Sequence, residues 1–179
     1  MNNAAIFIGR FQPFHNGHLF AVKEIINNNN LITIAIGSSQ LSHQNRNPFT
    51  FEERMKMIQK TLENEKIPNS KFSIIPLPDS NSHSEWINQL NSLFPDYDIL
   101  FSNDPLTIEL TKNLGKISKQ INLLNRWKYS ATEVRDRIYN DQNWKELVPD
   151  PVIEIINDVD GVNRIKKYFK QPNKSSNVT

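Results

Sequence analysis

Short apolar runs recur along this chain, each followed by a stretch whose apolar residues fall at helical spacing. This alternation restricts the fold more than any other feature. Ala4 to Gly9 reads as a buried strand, and Gly17 to Asn28 as a helix with Leu19, Val22, Ile25 and Ile26 on one face. Leu31 to Gly37 is a second buried strand, followed by a polar loop from Ser38 to Phe49. Thr50-Phe51-Glu52-Glu53 is a capping box that opens a helix to about Asn64. Phe72 to Pro76 is a third strand, ended by Pro76 and Pro78. A helix from Ser84 to Phe94 precedes a fourth strand from Tyr97 to Ser102, and Ile121 to Leu124 reads as a short fifth. Strands separated by helices imply βαβ units with right-handed crossovers and a mainly parallel sheet. The expected class is therefore α/β: a Rossmann-like, doubly wound parallel sheet. In such sheets ligands bind beyond the carboxyl ends of the strands, near the point where strand order reverses. Residues just after each strand are the first candidates for a site.

From Ser130 onward the pattern is helical only. Ser130-Ala131-Thr132-Glu133 reads as a second capping box, leading a helix to Tyr139. Asp150-Pro151 reads as an N-cap followed by proline at the first helical position, opening a helix to about Asp158. Asp160-Gly161 breaks it, and Val162 to Phe169 is a last short helix. The 179 residues suit one domain with a real core. The expectation is a single domain over residues 1–170, with a C-terminal helical segment from 130 to 170 and a disordered tail from 171 to 179.

Several function classes are disfavoured at once. There is no cysteine, which excludes disulfides, thiolate catalysis and cysteine metal sites and is compatible with a reducing cytoplasm. No apolar run is long enough to cross a membrane and no signal peptide is visible, so a cytoplasmic protein is expected. A net charge of +2, without a basic stripe, argues against general nucleic-acid binding.

The loop after the first strand reads Gly9-Arg10-Phe11-Gln12-Pro13-Phe14-His15-Asn16-Gly17-His18. Gly9 ends the strand where a ligand would approach the backbone closely. With a helix beginning near Gly17, His18 lies in its first turn, where free N–H groups and the helix dipole attract phosphate. His15 and His18 could donate hydrogen bonds to phosphate oxygens as charge develops on them, and Arg10 adds a positive fork. Two histidines could also ligate zinc; a third ligand would have to be His43, His83 or a carboxylate. The second constellation, Tyr129-Ser130-Ala131-Thr132-Glu133-Val134-Arg135, puts Ser, Thr and Arg at a helix N-terminus. It reads as a well-capped helix with a solvated Arg135, or as a second phosphate cradle. Trp86, Leu90 and Leu93 share a helical face, which favours a core position for Trp86.

The string Gly-Arg-Phe-x-Pro-x-His-x-Gly-His between a strand and a helix resembles the nucleotidyltransferase superfamily marked by a His-x-Gly-His motif. Tyr129 to Arg135 resembles that superfamily's Ile-Ser-x-Thr-x-x-Arg element, with Tyr129 in place of isoleucine. Four further stretches resemble the archaeal-type nicotinamide-nucleotide adenylyltransferases: Ile36 to His43, Asn47 to Thr50 with Glu53-Arg54, Asp79 to Trp86, and Gly161 to Ile165. The resemblance runs from Ala5 to about Tyr168. It implies ATP and nicotinamide mononucleotide as substrates and NAD as product. It further implies His15, His18, Arg135 and Arg46 as catalytic residues. Gly9, Arg10, Phe11, Gly17, Asn103, Ser130 and Thr132 would lie on ATP, and Ser38, His83 and Trp86 on the nicotinamide nucleotide. Trp86 would stack on the nicotinamide ring, a flat cation that an indole face attracts. Mg²⁺ would travel with ATP, with no protein side chain as ligand, and a homo-oligomer, commonly a hexamer, is implied. Two positions depart from the family: His83 stands where asparagine is usual, and Ser102-Asn103-Asp104-Pro105 replaces Ser-Gly-Asn-Pro. The competing readings are the same fold with another phosphate acceptor, such as phosphopantetheine or flavin mononucleotide, and a non-catalytic sensor of NAD or ATP.

Overall fold

In the computed structural model, residues 4–112, 116–121 and 128–169 are described. Five strands form one sheet in the order β3-β2-β1-β4-β5: β1 (Ala4–Gly9), β2 (Leu31–Gly37), β3 (Phe72–Leu77), β4 (Ile99–Ser102) and β5 (Ile117–Lys119). Every pairing is parallel. β1 is central and pairs Ala4 to Gly9 with Leu31 to Ile36 on one side and Ala5 to Ile8 with Ile99 to Ser102 on the other. The strand order reverses there, so the crevice between the carboxyl ends of β1 and β4 is where a ligand site is expected.

Side chains on β1 and β2 alternate between two apolar layers, as the two-residue period of a strand requires. Ala5, Phe7, Ile32, Ile34 and Ile36 join the larger layer, built with α1 (Asn16–Asn28), α2 (Phe51–Asn64), α5 (Ala131–Tyr139), α6 (Asp150–Asp158) and α7 (Gly161–Tyr168). Ile6, Ile8 and Ala35 face the smaller layer with Leu90 of α3 (His83–Leu93), together with Phe94 and Tyr97. The doubly wound reading and the C-terminal helical segment are thus observed. No described helix is long and apolar enough to cross a membrane.

Several boundaries differ from the sequence expectation for physical reasons. β3 continues through Pro76 to Leu77, because β3 is an edge strand and a proline there has no ladder bond to lose. The helix α4 (Pro105–Lys112) was not expected; it follows directly on β4, and Asp104 caps it by accepting from the Thr107 N–H at 2.9 Å and hydroxyl at 2.8 Å. The fifth strand is Ile117–Lys119; of the expected strand Ile121 to Leu124, Ile121 is outside any strand and the rest lies outside the described residues. β4 starts at Ile99, two residues after Tyr97. Asp150 is the first residue of α6 and not its cap; Pro149 precedes it, and no side chain caps that end. In α3, Leu90 is fully buried whereas Leu93 is 44% exposed, so the expected apolar face is only partly a core face. The tail from 171 lies outside the described residues.

Candidate active site

A cavity of about 880 Å³ opens over the carboxyl ends of the strands, within the range of roughly 300–1,000 Å³ usual for small-molecule sites. Its wall is assembled from the carboxyl ends of four of the five strands and the loops that follow them: Gly9 to Gln12 at β1, Gly37 and Ser38 at β2, Asp79 to His83 after β3, and Asn103 and Asp104 after β4. Ser130, Thr132 and Arg135 line it from the C-terminal segment, and His15, His18, Arg46 and Trp86 also face it.

His15 is the N-cap of α1, one residue earlier than a helix beginning at Gly17 would place the cap. Its Nδ1 accepts from the His18 N–H at 3.3 Å, and His18 Nδ1 accepts from the His15 N–H at 3.3 Å. The two imidazoles thus make a reciprocal capping box of the kind Ser and Glu usually form. Both Nδ1 atoms being acceptors assigns the proton of each neutral ring to Nε2, which leaves one N–H per ring as donor. The rings stack with centroids 3.5 Å apart, and His18 also lies against Phe11 and Phe14 at 4.8 and 5.5 Å. Burial pushes His15 down to about 3. Burial, and then the neighbouring His15, also holds His18 well below the usual histidine range. Both are therefore neutral near pH 7. Their Nδ1 atoms are turned to their own helix, which is incompatible with both rings ligating zinc through those atoms.

The two glycines of this segment make room for rings. A Cβ on Gly9 would lie 2.8 Å from the tip of the Phe11 ring, so the close approach expected from a ligand is made first by Phe11. Phe11 itself is 1% exposed, and its ring is core. Gly17 is not part of the cavity wall; a Cβ there would meet the His15 ring and Tyr129 Cβ at 3.1 Å. Its role is to let those two groups close over the helix start.

Arg135 is not solvated. It is 8% exposed, and its NH1 donates to the Gln12 carbonyl at 2.8 Å across 123 residues of sequence. Its NH2 donates to Thr132 Oγ1 at 3.4 Å, and its buried Nε has no partner. Burial lowers it to about 10, with Arg10 and Arg46 adding repulsion, so it stays charged at neutral pH. Arg10 is lowered by burial and by Arg46, and supported by Asp79 and Asp104. The guanidiniums of Arg10, Arg46 and Arg135 thus converge on one cavity. Ser130 caps α5 by accepting from the Glu133 N–H at 3.1 Å. The reciprocal half of that expected box is absent, because Glu133 instead accepts from Arg137 at 2.7 Å.

Ser38 has a left-handed backbone, φ 48°, and donates to Asp79 Oδ1 at 2.9 Å. His83 and Trp86 stand on the first turn of α3 with Ser82 as cap, and Trp86 is half-buried between the smaller apolar layer and the cavity. Neither Asn103 nor Asp104 has a positive φ, so replacing the family's glycine costs no backbone strain. The sequence reading missed Gln12, whose side chain donates to and accepts from the Phe49 backbone at 3.0 and 2.9 Å. It also missed Arg54 as a structural element. The available signal was an arginine three and four residues before Met57 and Ile58, on the apolar face of α2.

A parallel sheet with its switch point under clustered guanidiniums and two imidazole donors defines a protein that handles nucleotide phosphates. Residues 6–137 match the Cytidylyltransferase-like family. A nicotinamide-nucleotide adenylyltransferase of Methanococcus aeolicus is 44% identical over 163 residues, 91% of this chain and 93% of that protein. One from Thermoplasma volcanium is 40% identical, covering 91% and 90%. A bifunctional NMN adenylyltransferase/ADP ribose pyrophosphatase of Francisella tularensis, solved with AMP and a manganese ion, shares the fold. It does so at TM-score 0.74 and 24% identity, with 94% of this chain spanning only 52% of that one. The chain belongs to the nicotinamide-nucleotide adenylyltransferases, within the cytidylyltransferase-like nucleotidyltransferases.

Proposed function

We propose that this enzyme joins nicotinamide mononucleotide to the AMP part of ATP, giving NAD and pyrophosphate. The observation that carries the reading is the 2.8 Å bond from Arg135 to the Gln12 carbonyl. It joins the segment after β1 to the start of α5, the two segments read here as phosphate cradles, on one cavity wall.

In this reading a 5′-phosphate oxygen of the mononucleotide attacks the α-phosphorus of ATP in line. The new P–O bond forms as the bond to the bridging oxygen of the β-phosphate breaks, and pyrophosphate leaves with that electron pair. A phosphomonoester has a second pKa near 6 and is largely dianionic at neutral pH, so no protein base is required. The chain supplies position and charge stabilisation. The Nε2–H groups of His15 and His18 donate to the bridging phosphate oxygens as neutral donors. Arg135, Ser130 and Thr132 hold the leaving pyrophosphate, and Arg10 and Arg46 neutralise the reacting phosphates. Gly9 and Asn103 border the adenosine half, and Ser38, His83 and Trp86 the nicotinamide half. Among the described residues no three carboxylate or imidazole side chains group to hold a metal ion. The divalent cation, Mg²⁺ in this reading, would be held by phosphate oxygens and water and would supply charge neutralisation there.

The test is incubation with Mg-ATP and, separately, nicotinamide mononucleotide, nicotinate mononucleotide, flavin mononucleotide and phosphopantetheine. Pyrophosphate release is followed and the dinucleotide identified by mass. NAD formed with nicotinamide mononucleotide supports the reading. Pyrophosphate with another acceptor alone removes the substrate assignment, and none with any acceptor removes the enzyme.

A further inference from the structure

Among the described residues the largest fully buried side chain is a charged one, Arg54, at 0% exposure in the first turns of α2. Its four hydrogen bonds all end on main-chain carbonyls. Nε donates to Thr50 at 3.1 Å, NH1 to Arg10 at 2.9 Å and Gly37 at 2.8 Å, and NH2 to Ser38 at 3.1 Å. A guanidinium offers five donors in a rigid plane, and a single-headed cation could not grip these carbonyls together.

The carbonyls belong to both sides of the cavity. Arg10 follows β1, and its side chain enters the cavity beside Arg46. Gly37 and Ser38 end β2, and Ser38 carries the bond to Asp79 that shapes the opposite wall. Ser38 also holds a left-handed backbone, φ 48°, a conformation that persists only where its surroundings enforce it. The Arg54 bond to the Ser38 carbonyl is such an enforcement. Burial lowers Arg54 to about 10, which still leaves it charged at neutral pH.

We propose that Arg54 is a positioning residue for nucleotidyl transfer: it sets the spacing between the Arg10 side and the Ser38–Asp79 side of the cavity and touches neither substrate. The proposal rests on the nucleotidyltransferase reading above. The β1–β2 ladder ends at Gly9 and Ile36; without this grip Arg10 and Ser38, just beyond it, lose their common anchor. In-line transfer is sensitive to such shifts, since a displacement of about 1 Å can cost on the order of 100-fold.

The experiment compares wild-type protein with Arg54→Lys and with Arg54→Gln, the second serving if the first fails to fold. Folding is checked by circular dichroism and thermal melting, and kcat is expressed per folded molecule. The expected result is a kcat lower by on the order of 100-fold, with ATP affinity within about threefold of wild type. Lys, which keeps the charge, should lose less than Gln. In a double-mutant cycle with Arg10→Ala the losses should fall short of multiplying, since Arg54 acts partly through Arg10. A folded variant with wild-type kcat, or losses that multiply fully, overturns the proposal, as does failure of both variants to fold. The cycle is read on whichever acceptor the wild type uses, so a wrong acceptor assignment shows in the wild type alone.

Discussion

Two neutral imidazoles, locked through Nδ1 to each other's backbone, leave the cavity with donors whose direction is fixed before any ligand arrives. That preorganisation is what a developing phosphoryl charge rewards. His18→Ala should therefore lower kcat by at least roughly 100- to 1,000-fold with the circular dichroism spectrum unchanged; near-normal turnover would remove its assigned role. The same burial has a consequence for stability. His15 has a folded pKa of about 3 against about 6.5 in an unfolded chain. Between those values the unfolded chain binds a proton that the folded chain does not. The contribution is complete above pH 6.5 and is lost progressively as pH falls towards 3. His15→Asn keeps an N-cap acceptor but cannot titrate. Denaturant melts at pH 7.5 and pH 5 should show a smaller loss of stability for His15→Asn than for wild type. Equal losses would mean that His15 is not the buried neutral group described.

At the scale of elements, the helices that were legible in the sequence are those with a local start signal. Thr50 and Glu53 make the expected reciprocal box at α2, at 3.2 and 2.9 Å. What local pattern could not show is what else uses such a cap. Arg164 of α7 donates to Glu53 at 2.6 Å and to the Pro48 carbonyl at 3.3 Å, so the C-terminal helix buttresses the end of the loop that carries Arg46. Both side chains are about one-sixth exposed. Arg164→Met should destabilise by about 1–3 kcal/mol, between an exposed pair and a fully buried one, because it removes the cation from the Glu53 carboxylate. Glu53→Gln in the same background should recover part of that loss in thermal melts. No recovery would show that packing, not charge, is what Arg164 supplies. The starts of α1 and α6 were misplaced for a related reason. His15 caps without being a usual capping residue, and Asp150 resembles a cap yet sits inside its helix. α4 carries its cap, Asp104, immediately after a strand, where no apolar run had announced a helix.

For the molecule as a whole, the strand-then-loop logic was legible because period and position are written along the chain. The long-range ties were not, because a buried arginine bonded to main-chain carbonyls leaves no pattern in its partners' side chains. Arg54 and Arg135 are of this kind, and they tie helices α2 and α5 to the loops that follow β1 and β2. A site assembled in this way exists only in the folded chain, so its ligand must stabilise the fold. Mg-ATP at 100 times its dissociation constant should add about 2.7 kcal/mol, a rise in Tm of roughly 5–10 °C for a chain of this size. Arg135→Met separates two contributions. Loss of the Gln12 tie lowers Tm without ligand, and loss of the charge facing the triphosphate shrinks the ATP-induced rise. If Arg135→Met lowers the unliganded Tm while the rise at the same multiple of wild-type dissociation constant is retained, Arg135 is a strut between α5 and the loop after β1, and pyrophosphate is held by Ser130, Thr132 and Arg46 instead. If the rise disappears while the unliganded Tm is unchanged, the 2.8 Å bond to Gln12 contributes no stability of its own.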